Sequence, residues 1–234
     1  MSSATDRYLT FLREAYTADD GAVRTRASAK YVEQLRAAHE GQKLQFDLTA
    51  CLAGSEGFTG RVWFWSDLHL FHTNVIRYTD RPFADASSMN DTMMRNCLHL
   101  VQPSDILVFG GDITMGNVTA TNELLRAIPG YKVNVLGNHD VDRKGKLLAL
   151  EVDALVASLE FEFRGHAFFV SHYPVSEDVL EEGQLNLHGH IHNNALHRSL
   201  GTGARHLNMS VEHTGYQPVP LDWLLAHRTH VQAA

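Results

Sequence analysis

Apolar positions change period along this chain, and each change marks a change of element. Over residues 5–40 they recur at helical spacing: Tyr8, Leu9, Phe11, Leu12 and Tyr16 share one face, and after Asp19-Asp20-Gly21 a second face carries Val23, Tyr31, Val32, Leu35 and Ala38. The spacing predicts two amphipathic helices, the second closed by Gly41. Residues 42–60 are less regular, with a short strand near Leu44–Leu48 and a turn through Gly54-Ser55-Glu56-Gly57. From Arg61 onward short apolar runs alternate with helical patterns. Val62-Trp63-Phe64-Trp65, Asp105–Phe109 and Lys132–Leu136 read as strands, the first apolar on both faces, as a central strand covered on two sides must be. Met89, Met93, Met94, Cys97, Leu98 and Val101 line one helix behind a cap of Ser87-Ser88 with Asp91, and Asn122–Ile128 forms another, stopped by Pro129-Gly130. Residues 146–159 are also apolar at helical spacing. Beyond them come a hairpin of Phe161–Arg164 and Ala167–Val170 about Gly165-His166, strands at Leu185–His188 and Arg205–Ser210, and a last helix through Leu221–His227.

The expected class is therefore α/β, with two packed mixed sheets flanked by helices. Residues 1–57 read as a helical accessory segment packed against a catalytic domain at 58–234, since no Pro, Gly and Ser linker separates the two. A length of 234 residues allows one sizeable core and not two full enzyme domains. The formal charge of −7 argues against a broad basic surface for gripping long nucleic acid. It does not forbid a phosphorylated substrate, because bound cations reverse the local sign. Two cysteines outside any Cys-x-x-Cys, an N-terminus without basic and apolar signal regions, and no apolar stretch of membrane-spanning length lead to the expectation of a soluble cytoplasmic protein with reduced thiols and no membrane partner. The N-terminal helices are the expected oligomer contact.

Fifteen histidines exceed what packing asks for, and many fall in short polar patches that each follow an apolar run. These are Asp67-Leu68-His69, Gly111-Asp112, Gly137-Asn138-His139-Asp140, Ser171-His172 and Gly189-His190-Ile191-His192. Asp and His supply the oxygen and imidazole donors that borderline divalent cations prefer, and an Asn carbonyl adds a neutral oxygen. An isolated Asp-x-His is more often a capping carboxylate beside a solvated imidazole, and a Gly-Asp after a strand is more often an ordinary turn. The patches gain meaning together, because a parallel or mixed sheet delivers its strand ends to one edge. Residues two apart on an extended chain also point the same way, which aims Asp67 and His69 toward one cation, and His190 and His192 have the same alternating geometry and would donate one imidazole to each of two cations.

In this order the patches resemble the signature of the calcineurin-like metallophosphoesterases: D-x-H, G-D, G-N-H-D/E, a lone His after a strand, and G-H-x-H. His72-Thr73-Asn74-Val75-Ile76, Arg81-Pro82-Phe83 and the run from Leu207 to Glu212 further resemble a small bacterial and phage branch, from which Phe71 departs by replacing a glycine. The resemblance spans about residues 61–215 and implies a four-layer sandwich with a dinuclear metal centre. It assigns one cation to Asp67, His69, Asp112 and His192 and the other to Asp112, Asn138, His172 and His190. Manganese is the first expectation for the metal, with iron, zinc, nickel or cobalt as alternatives. It also implies hydrolysis of phosphodiesters, or of phosphomonoesters, by in-line attack of a bridging hydroxide, with His139 and Asp140 as catalytic residues and His139 at the leaving oxygen. His72, Arg77, Arg81 and Arg143 are candidate contacts to a small phosphorylated substrate. A nuclease or nucleotide phosphatase is the alternative within enzymes, and a non-catalytic metal-binding scaffold the alternative outside them.

Overall fold

A computed structural model describes residues 3–15, 27–41, 47–53 and 58–227. Its elements in chain order are α1 (Ala4–Ala15), α2 (Ala29–Gly41), α3 (Leu48–Leu52), β1 (Val62–Trp65), α4 (Thr73–Tyr78), α5 (Ala86–Leu100), β2 (Ile106–Phe109), α6 (Val118–Ala127) and β3 (Tyr131–Val135). They continue with β4 (Ala154–Val156), β5 (Leu159–Phe163), β6 (His166–Val170), β7 (Leu185–His188), β8 (His206–Asn208), α7 (Val211–Thr214), β9 (Val219–Pro220) and α8 (Leu221–Ala226). One sheet runs β4-β3-β2-β1-β9, with β1 to β4 parallel and β9 antiparallel to β1. The other runs β5-β6-β7-β8, its first pair antiparallel and the rest parallel. This is the expected pair of mixed sheets flanked by helices.

Period-two alternation sorts the strand side chains into layers. Val62, Phe64, Ile106, Val108, Val133 and Val135 meet Phe161, Phe168, Val170 and Leu187 of the second sheet in the central core. Trp63, Trp65, Leu107 and Phe109 face the other way, into a layer closed by Met89, Met93 and Cys97 of α5 and Leu125 of α6. On the far side, Tyr8, Leu12, Tyr31 and Leu35 of α1 and α2 pack with Phe169, Tyr173 and Val175. The expected helical faces of the N-terminal segment are thus buried where they are described; Tyr16 and Val23 lie outside the described residues, as do the Gly54–Gly57 turn and most of the strand expected at Leu44–Leu48, although Leu48 opens a helix instead.

Two other local expectations are corrected. Residues 146–153 form a loop, and Ala154–Val156 forms the edge strand β4. The half-buried Leu147, Leu148, Leu150 and Val152 suit a helix by spacing, but successive Leu150 to Leu148 and Val152 to Leu150 backbone hydrogen bonds curl the chain, and pairing with β3 decides its end. The open edge of a parallel sheet here outweighs local periodicity. The cap of α5 is Asp85, which accepts from the Ser88 N–H at 2.7 Å while Ser88 Oγ accepts from the Asp85 N–H at 3.3 Å, rather than Ser87-Ser88 with Asp91. At the carboxyl ends of the strands the two sheets are joined by a bridge between Ser66 and Ser210. In open α/β sheets this is the edge where ligand sites form.

Candidate metal centre

The polar patches meet at that edge in two groups, a first half-site of Asp67, His69 and His192 and a second of Asp112, His172 and His190. The ligand atoms of each lie within 4.8 Å of one another. Asp112 joins the two: its Oδ2 is 3.7 Å from His69 Nε2 and 3.3 Å from His172 Nε2. Asn138 Oδ1 approaches His172 Nε2 at 3.0 Å, on the side of the second half-site.

The backbone that achieves this is not extended. Among the described residues nine non-glycine residues have positive φ, and six of them, Asp67, His69, Phe71, Asp112, His190 and His192, lie in these loops. Asp and His tolerate the left-handed region better than most side chains, but each such residue still costs on the order of 1–3 kcal/mol. With left-handed backbone at Asp67 and His69, the intervening Leu68 and the following Leu70 are buried in the helix-side core while Asp67 and His69 reach the centre. Phe71 adopts φ 65, the conformation a glycine takes without strain. Close approach demands glycine at two other places. A Cβ at Gly137 would collide with the Asp112 carboxylate, and one at Gly189 with the Asp67 carboxylate and the Ser66 hydroxyl.

Hydrogen bonds orient the donors. Asp67 receives the His190 N–H on both oxygens at 3.0 Å and the hydroxyls of Ser66 and Ser210 on Oδ2 at 2.6 and 3.0 Å. His172 Nδ1–H donates to the Gly110 carbonyl at 2.8 Å and His192 Nδ1–H to Glu212 Oε1 at 3.0 Å, so in each ring Nε2 is the nitrogen turned toward the centre and left for a cation. Both ring nitrogens of the buried His69 lack any hydrogen-bond partner among the described residues. An imidazole lone pair buried without a donor is costly. A cation answers it, and donor atoms 3.3 to 4.0 Å apart match ligands that share an ion at about 2.0–2.2 Å. The residues fit a pair of divalent cations.

The electrostatics agree. Burial holds His69 and His190 well below the usual imidazole range, so both are neutral donors. Burial would also lower His172, but Asp112, by charge and by hydrogen bond, outweighs it and raises His172 to about 9. Burial opposes ionisation of Asp112, and His172, His139 and His69 around it overcome that and keep it well below the usual carboxylate range.

No protein-family model matches the chain. An uncharacterized protein of Methanocaldococcus jannaschii, MJ1445, is 31% identical over 169 residues, which cover 70% of this chain and 89% of that protein. The chain belongs to the family of that archaeal protein. The gene 66 protein of Mycobacterium phage D29 is 28% identical over 195 residues, 69% of this chain and 92% of its own length. Among solved structures, AQ665 of Aquifex aeolicus, a protein of unknown function, overlays with a TM-score of 0.58 at 26% identity and covers 72% of this chain and 99% of its own. The family therefore has a structural counterpart for the sandwich, and the names of these three proteins state no activity.

Within the family fold, the metal-ligand candidates Asp67, His69, Asp112, Asn138, His172, His190 and His192 all come together. His139 sits beside them with its side chain 40% exposed and its Nε2 4.0 Å from Asp112 Oδ2, and the half-buried His72 ring lies 5.9 Å from that of His69. Arg77 and Arg143 are exposed, and neither guanidinium makes a hydrogen bond or ion pair with the described residues. Two expected roles are corrected. Arg81 is not a substrate contact: it is 4% exposed, and its guanidinium donates to the carbonyls of Asp67 and Leu68 at 2.8 and 2.9 Å and to Glu212 at 2.9 Å. Asp140 is not placed to act on a substrate, because it is buried and accepts from the N–H groups of Asp112, Ile113 and Gly137 and from Asn134 Nδ2. Burial and the Asp112 charge push Asp140 up to about 6, and its work is to hold two ligand loops together. Glu212, Ser66 and Tyr173 shape the centre without any ligand motif of their own. Ser210 and Glu212 flanking an apolar Val211 just after a strand are the available signal in the sequence, and it does not say what the carboxylate will meet.

Proposed function

We propose that this centre binds two divalent cations and hydrolyses phosphodiester bonds, with phosphomonoesters as the second substrate class. Asp67, His69 and His192 would hold one cation, Asn138, His172 and His190 the other, and Asp112 both. Bound there, the cations supply positive charge for a phosphoryl group and an acidic water. The observation that supports this most is the position of Asp112 Oδ2 between the two half-sites, 3.7 Å from His69 and 3.3 Å from His172. A carboxylate oxygen within reach of an imidazole from each half-site is placed to serve both cations.

The chain's own residues do the rest. Asp67 and Asp112 fix the ring positions around them, and buried Arg81 and Glu212 keep His192 in the tautomer that presents Nε2. His139, outside both half-sites and open to solvent, is the group that would hold or deliver a proton at the leaving oxygen. His72, Arg77 and Arg143 are available to phosphate oxygens. The net charge of −7 favours a small or flexible substrate over a long nucleic acid, and manganese is the first metal to try. The test is a panel of aryl and alkyl phosphodiesters and phosphomonoesters with chelator-stripped protein reloaded with Mn, Ni, Co, Zn or Mg. Metal-dependent turnover of a diester is expected. Two bound cations with no hydrolysis under any of these ions would favour a binding scaffold, and hydrolysis that survives stripping would mean that the centre is misread.

A further inference from the structure

The second half-site is supported from outside the sandwich, and the support comes from the N-terminal helices. Tyr173 follows the ligand His172 and is 1% exposed; its ring stacks on the imidazole of His190 at 3.8 Å between centroids. Its N–H donates to Tyr8 Oη of α1 at 3.3 Å, and its ring lies 5.6 Å from that of Tyr31 of α2. Tyr31 in turn donates its hydroxyl proton to the Leu136 carbonyl at 2.7 Å. Leu136 is the residue before Gly137-Asn138-His139, so this bond fixes the peptide from which the Asn138 ligand loop departs. Tyr8 and Tyr31 are both buried, and their rings and hydroxyls link α1 and α2 to the centre. The helices themselves are anchored: Thr5 Oγ1 meets Ser158 Oγ at 2.8 Å, Arg7 Nε donates to the Val179 carbonyl at 2.9 Å, and Lys30 Nζ to the Arg143 carbonyl at 3.0 Å.

The first half-site has different outer partners, namely Arg81, Glu212 and the serines 66 and 210. An imidazole lone pair lies in the plane of its ring, so a ring stacked on His190 decides where that lone pair points. Outer partners that orient ligands typically set metal affinity by about 10–100-fold. We infer that Tyr8, Tyr31 and Tyr173 are positioning residues through which α1 and α2 set the affinity of the second cation and leave the first unchanged. The inference rests on the two-cation reading of the centre.

The experiment is calorimetric titration of chelator-stripped, full-length protein with Mn²⁺, paralleled by the visible spectrum of the Co²⁺-loaded form. In Tyr173→Leu, one of two binding steps should weaken by about 10–100-fold with the other within a factor of about two. The Co²⁺ spectrum should change only in the component that accompanies the weakened step. Tyr173→Phe keeps the ring and should restore both. Tyr31→Phe deletes only a hydroxyl, so it tests the same step in a folded protein even where the leucine variant is unstable, with a smaller loss of roughly tenfold. Glu212→Gln should weaken the opposite step. Equal weakening of both steps, in proportion to the loss of melting temperature of the metal-free variants, would overturn the inference, because that is what a merely structural role gives. So would no change in either step. Wild-type protein that takes up fewer than two cations would instead overturn the reading of the centre, and this inference with it.

Discussion

The two half-sites have the same kind of ligands and are held by different physics. The first, Asp67, His69 and His192, is braced by a buried ion pair: Arg81 and Glu212 lie 2.8 Å apart with almost no exposure, and Glu212 orients His192. The second, Asp112, His172 and His190, is braced by backbone carbonyls and by rings, with Gly110 on His172 and Tyr173 on His190. A buried ion pair holds well only while both members are present, since removing one strands the other's charge. Aromatic packing degrades gradually and depends on elements remote in sequence. One centre can therefore fail in two distinguishable ways.

Substitutions that strike what both halves share should cost more than those that strike one half alone. Asp112→Ala removes the carboxylate common to both, so both cations and turnover should be lost together, by at least about a thousandfold and beyond the 10–100-fold expected of an outer partner. Metal analysis beside steady-state rates checks this; a variant that keeps two cations would show that Asp112 does not join the halves. His139→Ala removes no proposed ligand, so metal content should stay at two while turnover drops roughly 10²–10⁴-fold, less for aryl than for alkyl leaving groups. Equal losses on both leaving groups would remove His139 from that role. Glu212→Gln strikes the first half alone. It should cost about 3–5 kcal/mol in denaturant unfolding, because the Arg81 charge stays buried, and should weaken one cation step only. Unchanged stability would mean that the ion pair is not what braces this half.

The smallest effect concerns pH. In the metal-free protein His172 is raised to about 9, above the ordinary imidazole value, by Asp112 against the opposing effect of burial. That proton stabilises the metal-free fold fully below about 6.5, and the contribution is lost as pH rises through about 9. A cation must displace the same proton. Affinity at the second half-site should therefore rise by up to about tenfold per pH unit between those values and level off above about 9, with proton release seen as a buffer-dependent heat. A flat affinity over that window would mean that His172 is already neutral without metal.

Much of the ligand set is legible in the sequence because metal chemistry is written in short local motifs. Asp67 with His69, and His190 with His192, sit at strand ends that a β-rich pattern already predicts, and all the proposed ligands meet. Their backbone is not legible: residues two apart are expected to align on an extended chain, whereas Asp67, His69, His190 and His192 are left-handed. No single sequence shows that conformation, because it is imposed by burying Leu68 and Leu70 against α5. The edge strand β4 escapes for the same reason. Leu147 through Val156 satisfy helical spacing, and only the open edge of β3 chooses otherwise.

Hydrophobic period and donor chemistry are properties of residues, so the layer each strand residue joins and the identity of the proposed metal ligands follow from the chain as written. It took the fold to bury Arg81 on Glu212 rather than turn it to a substrate, to make Asp140 a clamp between loops, and to bring Tyr8 and Tyr31 to the centre from α1 and α2. Those are partnerships across separations of 3 to 165 residues at their shortest and longest, Gly137 to Asp140 and Tyr8 to Tyr173. A polar or aromatic residue announces that it needs a partner, and only the fold says which one it gets.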